Sequence, residues 1–292
     1  MTDTTKPWTY SHTQLALWKQ CKRRYYNSYI LGRKEPTTAN MAAGTWLAQN
    51  NIYQWMSDEG YPEEPHWELL WANFLAEFGG DDSYDDPIFT LDLAKTILKA
   101  YRANPVQGKV ISIEETFYKD LGSYRYSSRP DLVVESPYIQ SIANASLEIG
   151  YITKRTTWDI KLKTFNQTKV GDTWYVKPEL STFDDQCLGQ AICAGADAFG
   201  QIQFWVGKKD GKVIGPVYVE QAVSATLAKE WEWETLAEMI NIDSWKIANE
   251  LVGNSWPKND AACHNFGRPC PHLQSCLFGF ERKTLDNSTR RD

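Results

Sequence analysis

No stretch of this chain approaches 18 consecutive apolar residues, so a membrane-spanning helix is not expected. The opening MTDTTKPWTY has no basic segment followed by an apolar one, so no secretory leader is expected and a cytosolic setting is. Repeats and low-complexity linkers are missing too, which makes one compact unit over residues 1–292 the simplest reading. Cysteine is scarce, and six in 292 residues are too few for a disulfide scaffold. An excess of positive charge is also lacking: 31 Lys and Arg face 37 Asp and Glu, a net charge of −6 that points away from nucleic acid. What is present, 42% apolar and 23% charged residues, is ordinary globular composition.

The net charge is an average over unlike parts. Residues 57–86 hold ten Asp and Glu and no Lys or Arg, so the other 262 residues carry +4. Residues 11–34 hold six basic side chains and no acid. Lys22, Arg23 and Arg24 there are interleaved with Trp18, Tyr25, Tyr26 and Tyr29. Such a helix suits a phosphate backbone with stacked bases, each stack being worth roughly 1–3 kcal/mol. The plainer alternative is a helix with its aromatics in a core and its cations in water.

Apolar spacing predicts helices from Ser11 or Thr13 to about Ile30, over 41–56, 65–78 and 88–103. After Pro105 the residues become β-branched and aromatic, predicting strands in 109–119, 123–135 and 147–162. A helix over about 181–199, strands near 201–207 and 212–220, and a helix over about 223–252 follow. The regions are thus a helical one (1–104), an α/β core (105–222), and a C-terminal helix with a Cys-rich loop (223–292). That order implies a mixed β-sheet flanked by helices.

Two strand segments carry chemistry. Arg129-Pro130-Asp131 sets a carboxylate beside the apolar run Leu132-Val133-Val134, and Asp159-Ile160-Lys161 sets an acid and a lysine two apart. Strand side chains alternate, so Thr157, Asp159, Lys161 and Lys163 share one face and Trp158, Ile160 and Leu162 the other. Two carboxylates brought together can hold Mg²⁺ with water, a backbone carbonyl and phosphate oxygens, while the lysine stabilises developing charge. An ion pair on a solvated strand face is the ordinary alternative. Gln186 and Gln190 lie on one face of the following helix, where amides could orient a phosphate or a water.

Cys263, Cys270 and Cys276 lie in one loop, with Pro271 directly after the second. Three thiols at this spacing suit iron–sulfur or zinc ligation. The fourth ligand is open: His264 and His272 are near in sequence, and Cys21 would join the two ends of the chain. Cys187 and Cys193, on an apolar helix, read as core.

With these residues assembled, the chain resembles the PD-(D/E)xK nuclease superfamily, in its RecB-like branch with an iron–sulfur cluster. That branch includes the AddB nuclease domain, CRISPR adaptation nucleases and many phage exonucleases. The resemblance spans nearly the whole chain: Ser11-x-Thr13-Gln14-Leu15, Cys21-x-x-Arg24-Tyr25-Tyr26, Pro130-Asp131, Asp159-Ile160-Lys161, Gln186 and the three late cysteines. It implies a restriction-endonuclease-like core and a Mg²⁺- or Mn²⁺-dependent deoxyribonuclease, an exonuclease on single strands or duplex ends. Asp131, Asp159 and the Ile160 carbonyl would be metal ligands, with Glu115 a candidate outer ligand. Lys161 would be the catalytic lysine and Gln186 an orienting residue. Cys21, Cys263, Cys270 and Cys276 would hold a structural [4Fe-4S] cluster, zinc being the alternative. DNA would be met by Lys22, Arg23, Arg24, Tyr25, Lys163 and Gln190, in a bacterial or phage-infected cell, with recombination or replication proteins as possible company.

The chain departs from the family pattern at three places. Ala48 stands where the family has a histidine after Gly44-Thr45, Gln190 stands where the helix motif has tyrosine, and Cys-x6-Cys replaces a shorter spacing. Gln49 as a shifted substitute and an introduced substitution at 48 are both open readings. The first departure also keeps open a DNA-binding protein of the same fold with weakened catalysis.

Overall fold

The computed structural model describes residues 8–33, 67–78, 90–139, 151–165, 169–170, 173–174, 184–207, 212–252, 256–257, 259, 263 and 270–273. The expected helix over 41–56, Ala48, Cys276 and most of the acidic stretch lie outside them.

In chain order the elements are β1 (Trp8–Ser11), α1 (His12–Gln20), α2 (Lys22–Tyr25) with a wider turn Tyr26–Ile30, α3 (Trp67–Phe78) and α4 (Leu91–Ala103). Then come β2 (Lys109–Ile113), β3 (Phe117–Leu121), β4 (Tyr124–Ser128), β5 (Leu132–Ile139) and β6 (Tyr151–Phe165). Two short strands, β7 (Lys169–Val170) and β8 (Thr173–Trp174), precede α5 (Asp185–Ala194), β9 (Ala198–Gly207), β10 (Val213–Ala222) and α6 (Ala225–Val252). No described helix is long and apolar enough to cross a membrane. The residues group into two compact units: Met1–Thr9 with Thr37–Glu234, and Tyr10–Pro36 with Thr235–Asp292.

The larger unit is built on a mixed five-stranded sheet in the order β10-β9-β6-β5-β2, with helices against both faces. Only β6 and β9 run parallel. The α4 sequence places Leu93, Ala94, Ile97, Leu98 and Tyr101 on one stripe, and all five are buried. They pack on Leu132, Val134, Trp158, Ile160, Ile202, Phe204 and Val206, the inward set of three adjacent strands. Each large side chain buried this way contributes roughly 1.5–3 kcal/mol, which is what fixes the strand register. Gly200 belongs to the same packing: a Cβ there would lie 2.4 Å from the Trp158 ring.

The opposite face carries α5. Asp184 caps it, accepting the Cys187 N–H at 3.2 Å. Gly189 lets the helix sit low on its neighbours, since a Cβ would lie 2.8 Å from the Trp231 ring and 2.9 Å from the Tyr126 hydroxyl. Those two rings meet edge to face at 4.9 Å.

The smaller unit differs from the sequence expectation in one respect. The continuous helix predicted to Ile30 is broken at Cys21, whose backbone is extended (φ −161°, ψ 110°). The break frees the Arg23 N–H, which donates to the Pro257 carbonyl at 3.2 Å, while Arg23 Nε donates to the Trp256 carbonyl at 2.9 Å. Trp18 centres an aromatic cluster with Tyr25, Trp245 and Trp256 in edge-to-face contacts of 5.5–6.3 Å. This packing, which local propensity does not encode, outweighs a further helical turn.

Candidate active site

On β6 the alternation read from the sequence holds: Trp158 and Ile160 enter the core, and Asp159 and Lys161 face α5. Pro130 biases Arg129 toward extended backbone, and Asp131 follows just before β5 begins. The β5–β6 ladder stops at Leu132 opposite Trp158. Beyond that point the Ile160 N–H, which has no β5 partner, donates to Asp131 Oδ2 at 2.7 Å. A strand residue points its N–H and C=O to the same side, so the Ile160 carbonyl also opens toward Asp131.

Around this pair the contacts close a small circuit. Lys161 Nζ lies 2.5 Å from Asp159 Oδ2, a close ion pair. Gln186 bridges the two side chains, donating from Nε2 to Asp159 Oδ1 at 3.4 Å and accepting Lys161 Nζ at 3.5 Å. Gln190 is buried and donates to the Arg129 carbonyl at 3.4 Å. Its Oε1 and the Thr157 hydroxyl are buried atoms without a hydrogen-bond partner among the described residues.

Negative charge accumulates here. Burial first, and the Asp159 charge second, push Asp131 up to about 7. Burial also raises Asp159, against the pull of Lys161. Burial alone would lower Lys161, but the Asp159 carboxylate outweighs it and holds the ammonium above its ordinary value. Glu114 adds a further negative charge that raises Asp131, whereas Glu115, the sequence candidate, is exposed. Glu114 has φ 45°, a left-handed conformation costing a non-glycine residue about 1–3 kcal/mol, and its N–H donates to the Asp131 carbonyl at 3.2 Å.

Among the described residues no three of His, Cys, Asp and Glu converge into a ready-made metal cage. What the site offers is two carboxylates, one of them set against the Lys161 ammonium, and on the strand between them the Ile160 main chain. That donor set fits Mg²⁺ or Mn²⁺, hard ions that retain several waters.

The structure thus brings together Asp131, Asp159, Ile160, Lys161, Gln186 and Gln190. Lys163 stands two residues along the same face, its Nζ 5.2 Å from the Trp205 ring centre. The other expected DNA contacts belong to the smaller unit and are engaged in its packing. Lys22 Nζ lies 4.9 Å and 4.2 Å from the Trp18 and Trp245 ring centres, Arg24 donates to Gln20 Oε1 at 2.8 Å, and Tyr25 is 2% exposed.

Sequence reasoning missed Gln201 and Gln203 on β9, which lie opposite Asp159 and Lys161 and are buried. Their available signal was the alternation of glutamine with Ile202, Phe204 and Val206 in a strand otherwise apolar. Cys187 is buried, as expected of a core residue, with Gln201 Nε2 3.7 Å from its Sγ. Burial pushes its thiol up, and pushes Cys193 up to about 11.

In the smaller unit the Cys270 N–H donates to the Cys263 carbonyl at 2.7 Å, closing the intervening loop. Cys263 Sγ lies 3.7 Å from the Asn259 carbonyl, and Asn259 Nδ2 donates at 2.8 Å to the carbonyl of Gln20, which precedes Cys21. His272 Nε2 lies 3.5 Å from the Ser28 hydroxyl. Cys21, Cys263 and Cys270 therefore belong to one tied region, and Cys276 lies outside the described residues.

No family model matches the chain, and no curated protein does. A solved structure from Eubacterium rectale, provisionally named an exonuclease, aligns over 92% of this chain and 93% of its own at 12% identity and TM-score 0.46. The protein SSO0001 aligns over 73% of this chain and 87% of its own at 13% identity and TM-score 0.25. At these values neither likeness carries an argument about activity.

Proposed function

We propose that the chain is a metal-dependent DNA nuclease that hydrolyses phosphodiester bonds as an exonuclease on single strands or duplex ends. The observation carrying this reading is the Asp131 carboxylate held on the Ile160 amide, next to the Asp159–Lys161 pair. Asp131, Asp159 and the Ile160 carbonyl would hold Mg²⁺ or Mn²⁺. The bound cation would supply positive charge at the phosphate and lower the pKa of a water. Lys161 Nζ would orient that water and stabilise the charge developing on phosphate oxygens. Gln186 keeps the acid and the lysine in register, and Lys163, further along the strand, suits a neighbouring phosphate. Cys21, Cys263, Cys270 and Cys276 would bind a [4Fe-4S] cluster of structural role, four thiolates being its usual donor set.

The test is end-labelled single- and double-stranded DNA with Mg²⁺ or Mn²⁺. Cleavage is expected with either metal, product length giving the polarity. Lys161→Ala is expected to lower the rate about 10²- to 10³-fold while DNA binding persists. Cleavage undiminished in that variant would remove Lys161, and with it this reading, from consideration. Ala48, at the position of the family histidine, favours one second reading: a DNA-binding protein of this fold with weakened catalysis.

A further inference from the structure

Gln201 and Gln203 are 4% and 0% exposed, and a buried amide is costly unless its hydrogen bonds are made. Besides the Gln201 contact with Cys187 Sγ, their amides join in a directed row. Trp205 Nε1–H donates to Gln203 Oε1 at 3.1 Å, Gln203 Nε2 donates to Gln201 Oε1 at 2.8 Å, and Gln201 Nε2 donates to Asp184 Oδ2 at 2.5 Å. The ends set the direction: an indole nitrogen can only donate and a carboxylate can only accept. Turning either amide over would set donor against donor and acceptor against acceptor, so each side chain has one orientation.

The row runs beside the acid–lysine strand, with Gln201 opposite Asp159, Gln203 opposite Lys161 and Trp205 opposite Lys163. It ends on the residue that caps α5, whose other carboxylate oxygen accepts the Cys187 N–H. Gln186, two residues after that cap, is the side chain that bridges Asp159 and Lys161.

We propose that Gln201, Gln203 and Trp205 are positioning residues. Acting through Asp184, their row fixes the first turn of α5 on the sheet and so keeps Gln186 aimed at Asp159 and Lys161. The kinetic half of the inference rests on the nuclease reading, and the structural half does not. A helix turn released by an ångström misaims Gln186 without removing any group that touches DNA, so the loss falls on turnover rather than on binding.

Two variants of the full chain test this. Gln203→Met keeps the side-chain length and removes both links; Trp205→Phe keeps a ring and removes only the terminal N–H. Amide hydrogen exchange of the metal-free protein is expected to rise about tenfold over 184–194 while that of 91–103 stays as in the parent. With Mn²⁺ and end-labelled DNA, kcat is expected to fall about tenfold or more and KM to stay within about twofold. Unchanged exchange over 184–194, or equal acceleration over 91–103, overturns the proposal. A parent that cleaves no DNA, with exchange rising only over 184–194, leaves the tether standing and removes the nuclease reading. A cleaving parent matched by both variants does the reverse. Should Gln203→Met fail to fold, Trp205→Phe decides by the same readouts.

Discussion

Asp131 Oδ2 accepts the Ile160 backbone N–H at 2.7 Å, just past the point where the β5–β6 ladder stops at Leu132 and Trp158. A carboxylate thus stands where the next rung of the sheet would be. Because it is covered and faces Asp159, its proton is held up to about 7, with burial the larger cause. The result is a strand end that favours a proton or a metal ion over a bare pair of negative charges.

This has a pH consequence whose sign is fixed. The folded-state value lies above the ordinary 3.8, so the contribution of Asp131 to metal-free stability is complete below about pH 4 and is lost as pH rises through about 7. Metal needs the ionised carboxylate, so its stabilisation should behave oppositely. The melting temperature without metal is expected to fall between pH 5 and 8, and to fall less in Asp131→Asn. The rise caused by Mn²⁺ is expected to be small near pH 5, to grow above about 7 and to vanish in Asp131→Asn. A Mn²⁺ shift independent of pH in differential scanning fluorimetry would contradict the assignment.

Gly189→Ala should separate helix propensity from packing. In an exposed helix the change stabilises by up to about 1 kcal/mol. Here the new Cβ would lie 2.8 Å from one ring and 2.9 Å from the hydroxyl of another, so net destabilisation of about 1–3 kcal/mol is expected in urea unfolding. A more stable variant would mean that α5 does not rest on Tyr126 and Trp231.

The cysteine site predicts a colour. Protein purified without oxygen should be brown, absorb near about 400 nm and contain iron, with both signals lost in Cys263→Ser. A cluster joining Cys21 to the C-terminal loop closes most of the chain, a constraint worth up to roughly 5 kcal/mol in the chain-entropy model for crosslinks. Loss of the cluster should therefore lower the melting temperature as well. A colourless protein with stoichiometric zinc would replace the iron assignment.

Ala48→His distinguishes the two functional readings. If the Asp131–Asp159–Lys161 centre is otherwise competent, the added imidazole should raise Mg²⁺- or Mn²⁺-dependent cleavage about tenfold or more. No gain with either ion favours the DNA-binding reading.

Much of the larger unit was legible because its signals are local. The α4 stripe of Leu93, Ile97, Leu98 and Tyr101, and the β9 and β10 segments, follow from spacing alone. Two expected strands, 109–119 and 123–135, each divide in two, because β3 and β4 form a separate antiparallel hairpin. Glu115 is exposed and Glu114 beside it is half-buried with a left-handed backbone, which strand alternation does not foresee.

The sequence alone determined which residues share a face. In β6 the order Trp158-Asp159-Ile160-Lys161 commits acid and lysine to one side and the apolar pair to the other, because alternation is a property of the extended backbone itself. Only the tertiary structure decided what covers each face. It ended the β5 ladder one step short, so that Asp131 meets the Ile160 amide, and it laid α5 over Gln201 and Gln203, turning two ordinary strand glutamines into a buried row. In the smaller unit it turned Lys22 and Arg23 toward aromatic rings and a carbonyl. Those outcomes depend on where strands stop and which helix arrives from elsewhere in the chain, and no local pattern of residues encodes either.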